Sequence, residues 1–182
     1  MSLPTVIEIE GRLRFTFERP TWEAVKWDAD PAYLHGLRRH EAKAVDILAT
    51  LGRRGLHLFE IKDPRGSEVE YRDRIPDEKL AQVVAAKVRD TIAGLVFARD
   101  RHPGEHLQVH LQTLFVGRSE RVNVIFWLEA PGLDQARAIN LASLIERNLR
   151  WLKPNVLVTS RALWPGRPGL TIESMEGAPW RG

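Results

Sequence analysis

Asp46, Glu60 and Lys62 are residues whose types and spacing could do chemistry together. They lie on two apolar segments, AKAVDILATL (42–51) and LHLFEIKD (56–63), joined by a GRRG tetrapeptide. Gly52 and Gly55 suit a tight turn there, so the two segments form a hairpin. Residues at i and i+2 of a strand share a face, so Glu60 and Lys62 project together. Asp46 depends on register. A three-residue turn over Gly52 to Arg54 sets it opposite Glu60, whereas a two-residue turn sets it opposite Ile61 and points it away.

Both strands are apolar on both faces, as in central strands of a sheet covered on each side. Ions placed there cost several kcal/mol unless they are paired. Two carboxylates on one face can hold Mg²⁺ or Mn²⁺ with a backbone carbonyl and waters, leaving positions for phosphate oxygens. A lysine beside them would stabilise charge developing at phosphorus and serve the attacking water. The alternative use of the same residues is a cross-strand ion cluster at a strand end near Pro64.

Asp46, thirteen intervening residues and then Glu60-Ile61-Lys62 resemble the D…(D/E)-x-K signature of the restriction-endonuclease-like, or PD-(D/E)xK, nuclease superfamily. The resemblance spans roughly residues 25–130 and implies an αβββαβ core. It implies that Asp46 and Glu60 bind the metal with the Ile61 carbonyl, that Lys62 serves the nucleophilic water, and that DNA is the partner and substrate. Val45 stands where the family name has Pro. Many members open with a helix bearing a further acidic residue. The segment before Asp46 reads instead as extended, and Glu23, Asp28 and Glu41 substitute poorly for that residue. This keeps a second reading open: an inactive nuclease-like fold acting as a nucleic-acid-binding or assembly module.

The elements expected around the hairpin are those of an α/β domain, a central mixed sheet flanked by helices over residues 1–160, followed by an extended Pro- and Gly-rich tail over 161–182. Residues 12–27 read as one or two strands broken near Pro20, and 28–40 as a loop with one short helical turn. Asp77 suits the N-cap of a helix reaching about Arg99, with Leu80, Val83, Val84, Val88, Ile92 and Leu95 at helical spacing. Lys87 and Thr91 flank that stripe, and Lys87, with Arg65, is a candidate phosphate contact. HLQVHLQTLFV (106–116) alternates as a strand with His106, Gln108, His110 and Gln112 on a solvated face, paired to a strand over 121–130. A second helix spans about 134–152 with Ile139, Ala142, Ile145 and Leu149 on one stripe, and NVLVTS forms a last strand.

Composition bounds the rest. With 43% hydrophobic and 28% charged residues, the chain is of ordinary globular make-up. It has no cysteine, which removes disulfides, thiolate zinc sites and thiol nucleophiles and points weakly to the cytoplasm. No window approaches the ~20 apolar residues of a membrane span, so no membrane partner is expected. A net charge of +3 permits a polyanionic partner. Phosphate-binding loops, serine elbows and His-Glu helix pairs are lacking. Oligomeric state stays open. Of six tryptophans, Trp22, Trp27, Trp127 and Trp151 fall in core-like segments, and Trp164 and Trp180 in loops.

Overall fold

The computed structural model describes residues 3–9, 12–38, 41–52, 55–64, 75–101, 104–116 and 122–175. It is mixed α/β with two sheets. The strands are β1 (Thr5–Ile9), β2 (Leu13–Phe17), β3 (Trp22–Lys26), β4 (Ile47–Leu51), β5 (Leu56–Lys62), β6 (Asn123–Leu128), β7 (Asn155–Thr159) and β8 (Leu170–Ser174). The helices are α1 (Asp77–Arg99), α2 (Glu105–Val116) and α3 (Gln135–Asn148), with a 3-10 turn at Trp27–Ala29 and a π-helical turn at Tyr33–Leu37.

The larger sheet has the order β3-β4-β5-β6-β7. β3, β4 and β5 are antiparallel each to the next, and β5, β6 and β7 run parallel. The hairpin register is Ile47↔Phe59 and Thr50↔Leu56, which is the register of the three-residue turn and carries Asp46 toward Glu60. Gly52 is at φ +58°, in the left-handed region that glycine enters without a Cβ penalty. Both central strands are buried on both faces, as their two-sided apolarity requires.

The two faces are covered differently. Leu48, Leu58, Val124 and Phe126 pack with Leu80, Val84, Val88 and Leu95 of α1 and with Leu141 and Ile145 of α3. The opposite face carries Ile47, Phe59, Ile61, Ile125 and Trp127 and packs against β1-β2-β8. A second sheet, not a second helical layer, therefore closes the central sheet, a correction to the expectation of helices as its flanking layers. Phe15 lies edge-on to Phe59 and Trp127, at 6.2 and 5.7 Å between ring centres, an arrangement that adds to plain burial.

Further corrections follow the same physics. Residues 106–116 are helical: Leu107, His110 and Leu111 are buried, an i, i+3, i+4 set, so this segment is not the partner strand of β6, which pairs with β5 and β7. In α3 the buried stripe is Ala138, Leu141, Leu144 and Ile145, while Ile139 is exposed. Trp151 is exposed rather than core. Within the segment read as an extended tail, residues 170–174 form β8. No described helix is long and apolar enough to cross a membrane.

Because Phe15 is fully buried between the two sheets, Phe15→Ala should lower unfolding free energy by about 3–5 kcal/mol, and Phe15→Leu by clearly less. Urea unfolding checks this. A loss under about 1 kcal/mol for the alanine variant would show that the aromatic layer does not hold the sheets together.

Candidate functional site

Asp46 directly precedes β4, and its backbone is tied on both sides. Its carbonyl accepts from Trp27 N–H and its N–H donates to the Phe59 carbonyl, each at 2.9 Å. Its side chain crosses to β5, where Oδ2 accepts the Ile61 N–H at 2.6 Å. One residue earlier, the buried Val45 N–H donates to Thr91 Oγ1 of α1 at 3.1 Å. The strand entrance bearing Asp46 is thus held by the neighbouring strands and by α1.

Glu60 points to the helical face, the side occupied by Leu58 two residues earlier. It is only 1% exposed, and Lys87 of α1 reaches it: Nζ donates to Oε1 at 2.7 Å and to Oε2 at 2.8 Å. Burial and, after it, the charge of Asp46 push the Glu60 carboxyl up to about 8, with Lys87 pulling the other way. Burial works against the Lys87 ammonium too, but the charges of Glu60, Asp46 and Asp28 together raise its pKa. The lysine stays charged while the carboxylates compete for a proton.

The 3-10 turn after β3 brings Asp28 into the same field. Its Oδ1 is buried with no hydrogen-bond partner among the described residues. Burial raises its pKa, Lys26 and Lys87 lower it, and its charge in turn raises that of Asp46, whose largest cause is again burial. Sequence reasoning set Asp28 aside because it looked for an acidic residue on a helix; the only available signal was a carboxylate beside Trp27 in an otherwise core-like run. Lys62 lies at the margin of the group. Its charge is the weakest of the named influences on Glu60, and it forms no ion pair among the described residues.

The structure therefore brings together Asp28, Asp46, Glu60 and Lys87, with Lys26 and Lys62 nearby. Arg65, Arg53, Arg54 and His102 lie outside the described residues. The histidines read as a solvated strand face separate on α2. His106 Nε2 meets Asp30 Oδ2 at 2.8 Å, and His110 is fully buried with neither ring nitrogen partnered among the described residues.

The donor set is hard oxygen, which suits Mg²⁺ or Mn²⁺. Among the described residues no three acidic or histidine side chains form a ready cage for a metal ion. A cation here would rest on two carboxylates and complete its shell with backbone, water or phosphate oxygens, the usual manner for Mg²⁺. Lys87 between the two oxygens of Glu60 already meets the demand for positive charge.

These shifts set the pH profile of stability. A carboxyl raised to about 8 from 4.5 binds a proton more tightly folded than unfolded, so stability falls as pH rises between those values. His57 and His110, pulled by burial from 6.5 to about 4, act oppositely: they cost stability as pH falls below 6.5. Stability should therefore peak near pH 6 to 7 and decline from about 6.5 to 8. Glu60→Gln should abolish the decline on the alkaline side. Urea titrations across this range check it, and an alkaline limb equally steep in Glu60→Gln would remove Glu60 as its source.

Comparisons of the chain with protein-family models, curated proteins and solved structures find no match.

Proposed function

We propose that this chain is a metal-dependent phosphodiesterase acting on DNA. The observation that supports the proposal is the nearness of the Asp46 carboxylate to Glu60, close enough for its charge to raise the Glu60 pKa, with a cationic side chain bound between the oxygens of Glu60. The run β3-β4-β5-α1-α2-β6 is compatible with the βββαβ part of a nuclease-like core, with α2 as an added helix between α1 and β6 and with no helix before β3 among the described residues.

Asp46, Glu60 and the Ile61 carbonyl would hold Mg²⁺ or Mn²⁺. When bound, that ion supplies Lewis-acid stabilisation of a phosphoryl oxygen and acidifies water. The protein's own groups do the remaining work. The Ile61 N–H fixes the rotamer of Asp46 by holding Oδ2. Lys62, at the strand end and without an ion pair among the described residues, would meet a phosphate and the attacking water. Lys87, which holds both Glu60 oxygens, would have to release one of them for the carboxylate to serve a cation, and would go on neutralising the other. Burial strengthens each of these interactions by excluding water.

A second reading is favoured by the closure of Lys87 on Glu60. If that pair never opens, the fold is an inactive nucleic-acid-binding or assembly module.

Plasmid nicking with Mg²⁺ or Mn²⁺, beside thermal melts with and without metal, separates the two readings. Wild type should nick DNA and melt higher with metal. Lys62→Ala should lose about 10²–10³-fold in rate while still folding, the usual cost of one preorganised charge. Asp46→Asn should lose both nicking and the metal-dependent shift. DNA retention without nicking would favour the module, and no nicking with no metal-dependent shift in the wild type would overturn the enzymatic reading.

A further inference from the structure

A cavity of about 220 Å³ opens on the other face of the large sheet, at the opposite end of β5 from Glu60. Its floor is made by the first residues of three parallel strands. His57, Asn123 and Asn155 are register neighbours, so their side chains rise side by side from one face. Its walls are aromatic. Trp22 backs one wall: it is fully buried, stands edge-on to His57 at 5.0 Å, and its indole N–H donates to the Pro168 carbonyl at 2.8 Å. Trp164 is half-buried and braced by Trp127 at 5.6 Å between ring centres. Arg167 completes the lining, and no carboxylate belongs to it.

The polar groups have defined roles. His57 Nδ1 lies 3.1 Å from the Gly55 carbonyl, which can only accept, so the ring proton sits on Nδ1 and Nε2 is a bare acceptor. Burial, with Arg167 as a lesser cause, keeps the ring neutral by pulling its pKa down to about 4. Asn155 gives one N–H to Asn123 Oδ1 at 3.2 Å and retains an adjacent donor and acceptor on the same amide.

A flat apolar wall at Trp164, a side-by-side donor and acceptor, a partly buried acceptor and one cation are complementary to a planar heteroaromatic ring that carries an anionic substituent. We propose that this cavity binds the base of a nucleotide, the ring against Trp164, its edge on Asn155 and His57, and the nucleotide's phosphate on Arg167. The volume is below the ~300 Å³ at which sites begin to enclose drug-sized ligands, so it accepts one ring system and leaves sugar and phosphate at the mouth. An Asn amide suits adenine, whose N6 and N7 offer a donor beside an acceptor. A free nucleotide and a nucleotide within a strand present the same chemistry. None of these residues belongs to the Asp46–Glu60 group, so the proposal stands whether or not the chain cleaves DNA.

Isothermal titration of the full chain at neutral pH in EDTA, with AMP, adenosine and a trinucleotide, tests it. Saturable binding of AMP or the trinucleotide is expected. Tighter binding of the trinucleotide would identify a strand as the source, and equal binding a free nucleotide. Trp164→Ala should weaken all three probes about ten-fold or more, in line with the loss of one stacked base. Arg167→Gln should weaken the phosphate-bearing probes about ten-fold and adenosine little. Asn155→Leu alters an exposed side chain and keeps the test valid should Trp164→Ala fail to fold; it should weaken adenosine and AMP alike. The proposal is overturned if no probe binds saturably by about 10 mM. It is equally overturned if Asn155→Leu and Arg167→Gln bind as wild type does, or if benzoate binds as tightly as AMP.

Discussion

The clasp of the Lys87 ammonium on the Glu60 carboxylate is the interaction on which the rest of the helical face depends. Glu60 sits in the middle strand of the large sheet, next to β4 and β6, where water cannot reach it. A carboxylate there is tolerable only if a cation meets it, and Lys87 can do so only if α1 crosses the sheet at that height. The apolar stripe of α1 sets the same docking: Val84 and Val88 flank Lys87 in sequence and pack into the core that contains Leu58 and Phe126. Without Lys87 the Glu60 carboxyl would be driven further toward its protonated form, because burial and the charge of Asp46 already raise its pKa and Lys87 opposes them.

The two faces of the sheet divide the labour. On the face of the second sheet, Phe15, Phe17, Trp22, Phe59 and Trp127 form an apolar aromatic layer in which an ion would have no partner. On the helical face, α1 contributes long polar side chains at its margin as well as apolar ones at its centre. Lys87 is partly exposed, its stem lying along the core and its head on Glu60. Strand parity keeps the two environments apart: even-numbered residues of β5 meet the helices and odd-numbered ones the aromatic layer.

How legible this was in the sequence varied with the range of the forces involved. The 77–99 helix is legible because its apolar spacing is long and regular, and the hairpin because Gly52 and Gly55 bracket a turn only a few residues long; the choice between its two registers is made by strand pairing. The α2 segment was misread because its short apolar pattern fits two periods. Leu107, Val109 and Leu111 alternate, yet Leu107, His110 and Leu111 make a helical stripe once a histidine takes a core position, and nothing in HLQVHLQTLFV signals that His110 will be buried. β8 was hidden because it pairs with β2 from more than a hundred residues away, inside a Pro- and Gly-rich stretch. Asp28 was undervalued for a similar reason: its approach to Asp46 depends on a turn that exists only once β3 has paired with β4.

The enzymatic reading proposed above rests, against a plain ion cluster, on the balance of costs at the site. Buried ion pairs are poor sources of stability, and replacing one with apolar groups of equal volume is often neutral or stabilising. One Glu–Lys pair would be enough to orient α1 on the sheet. The structure instead assembles Asp28, Asp46 and Glu60 with Lys87, and burial raises the pKa of all three acids. The second and third carboxylates make the first harder to ionise, so the group is more strained electrostatically than packing alone requires. Such strain is relieved by a proton, by Lys87 or by a divalent cation, and of these only the cation leaves the carboxylates ionised and Lys87 free to move toward a phosphate.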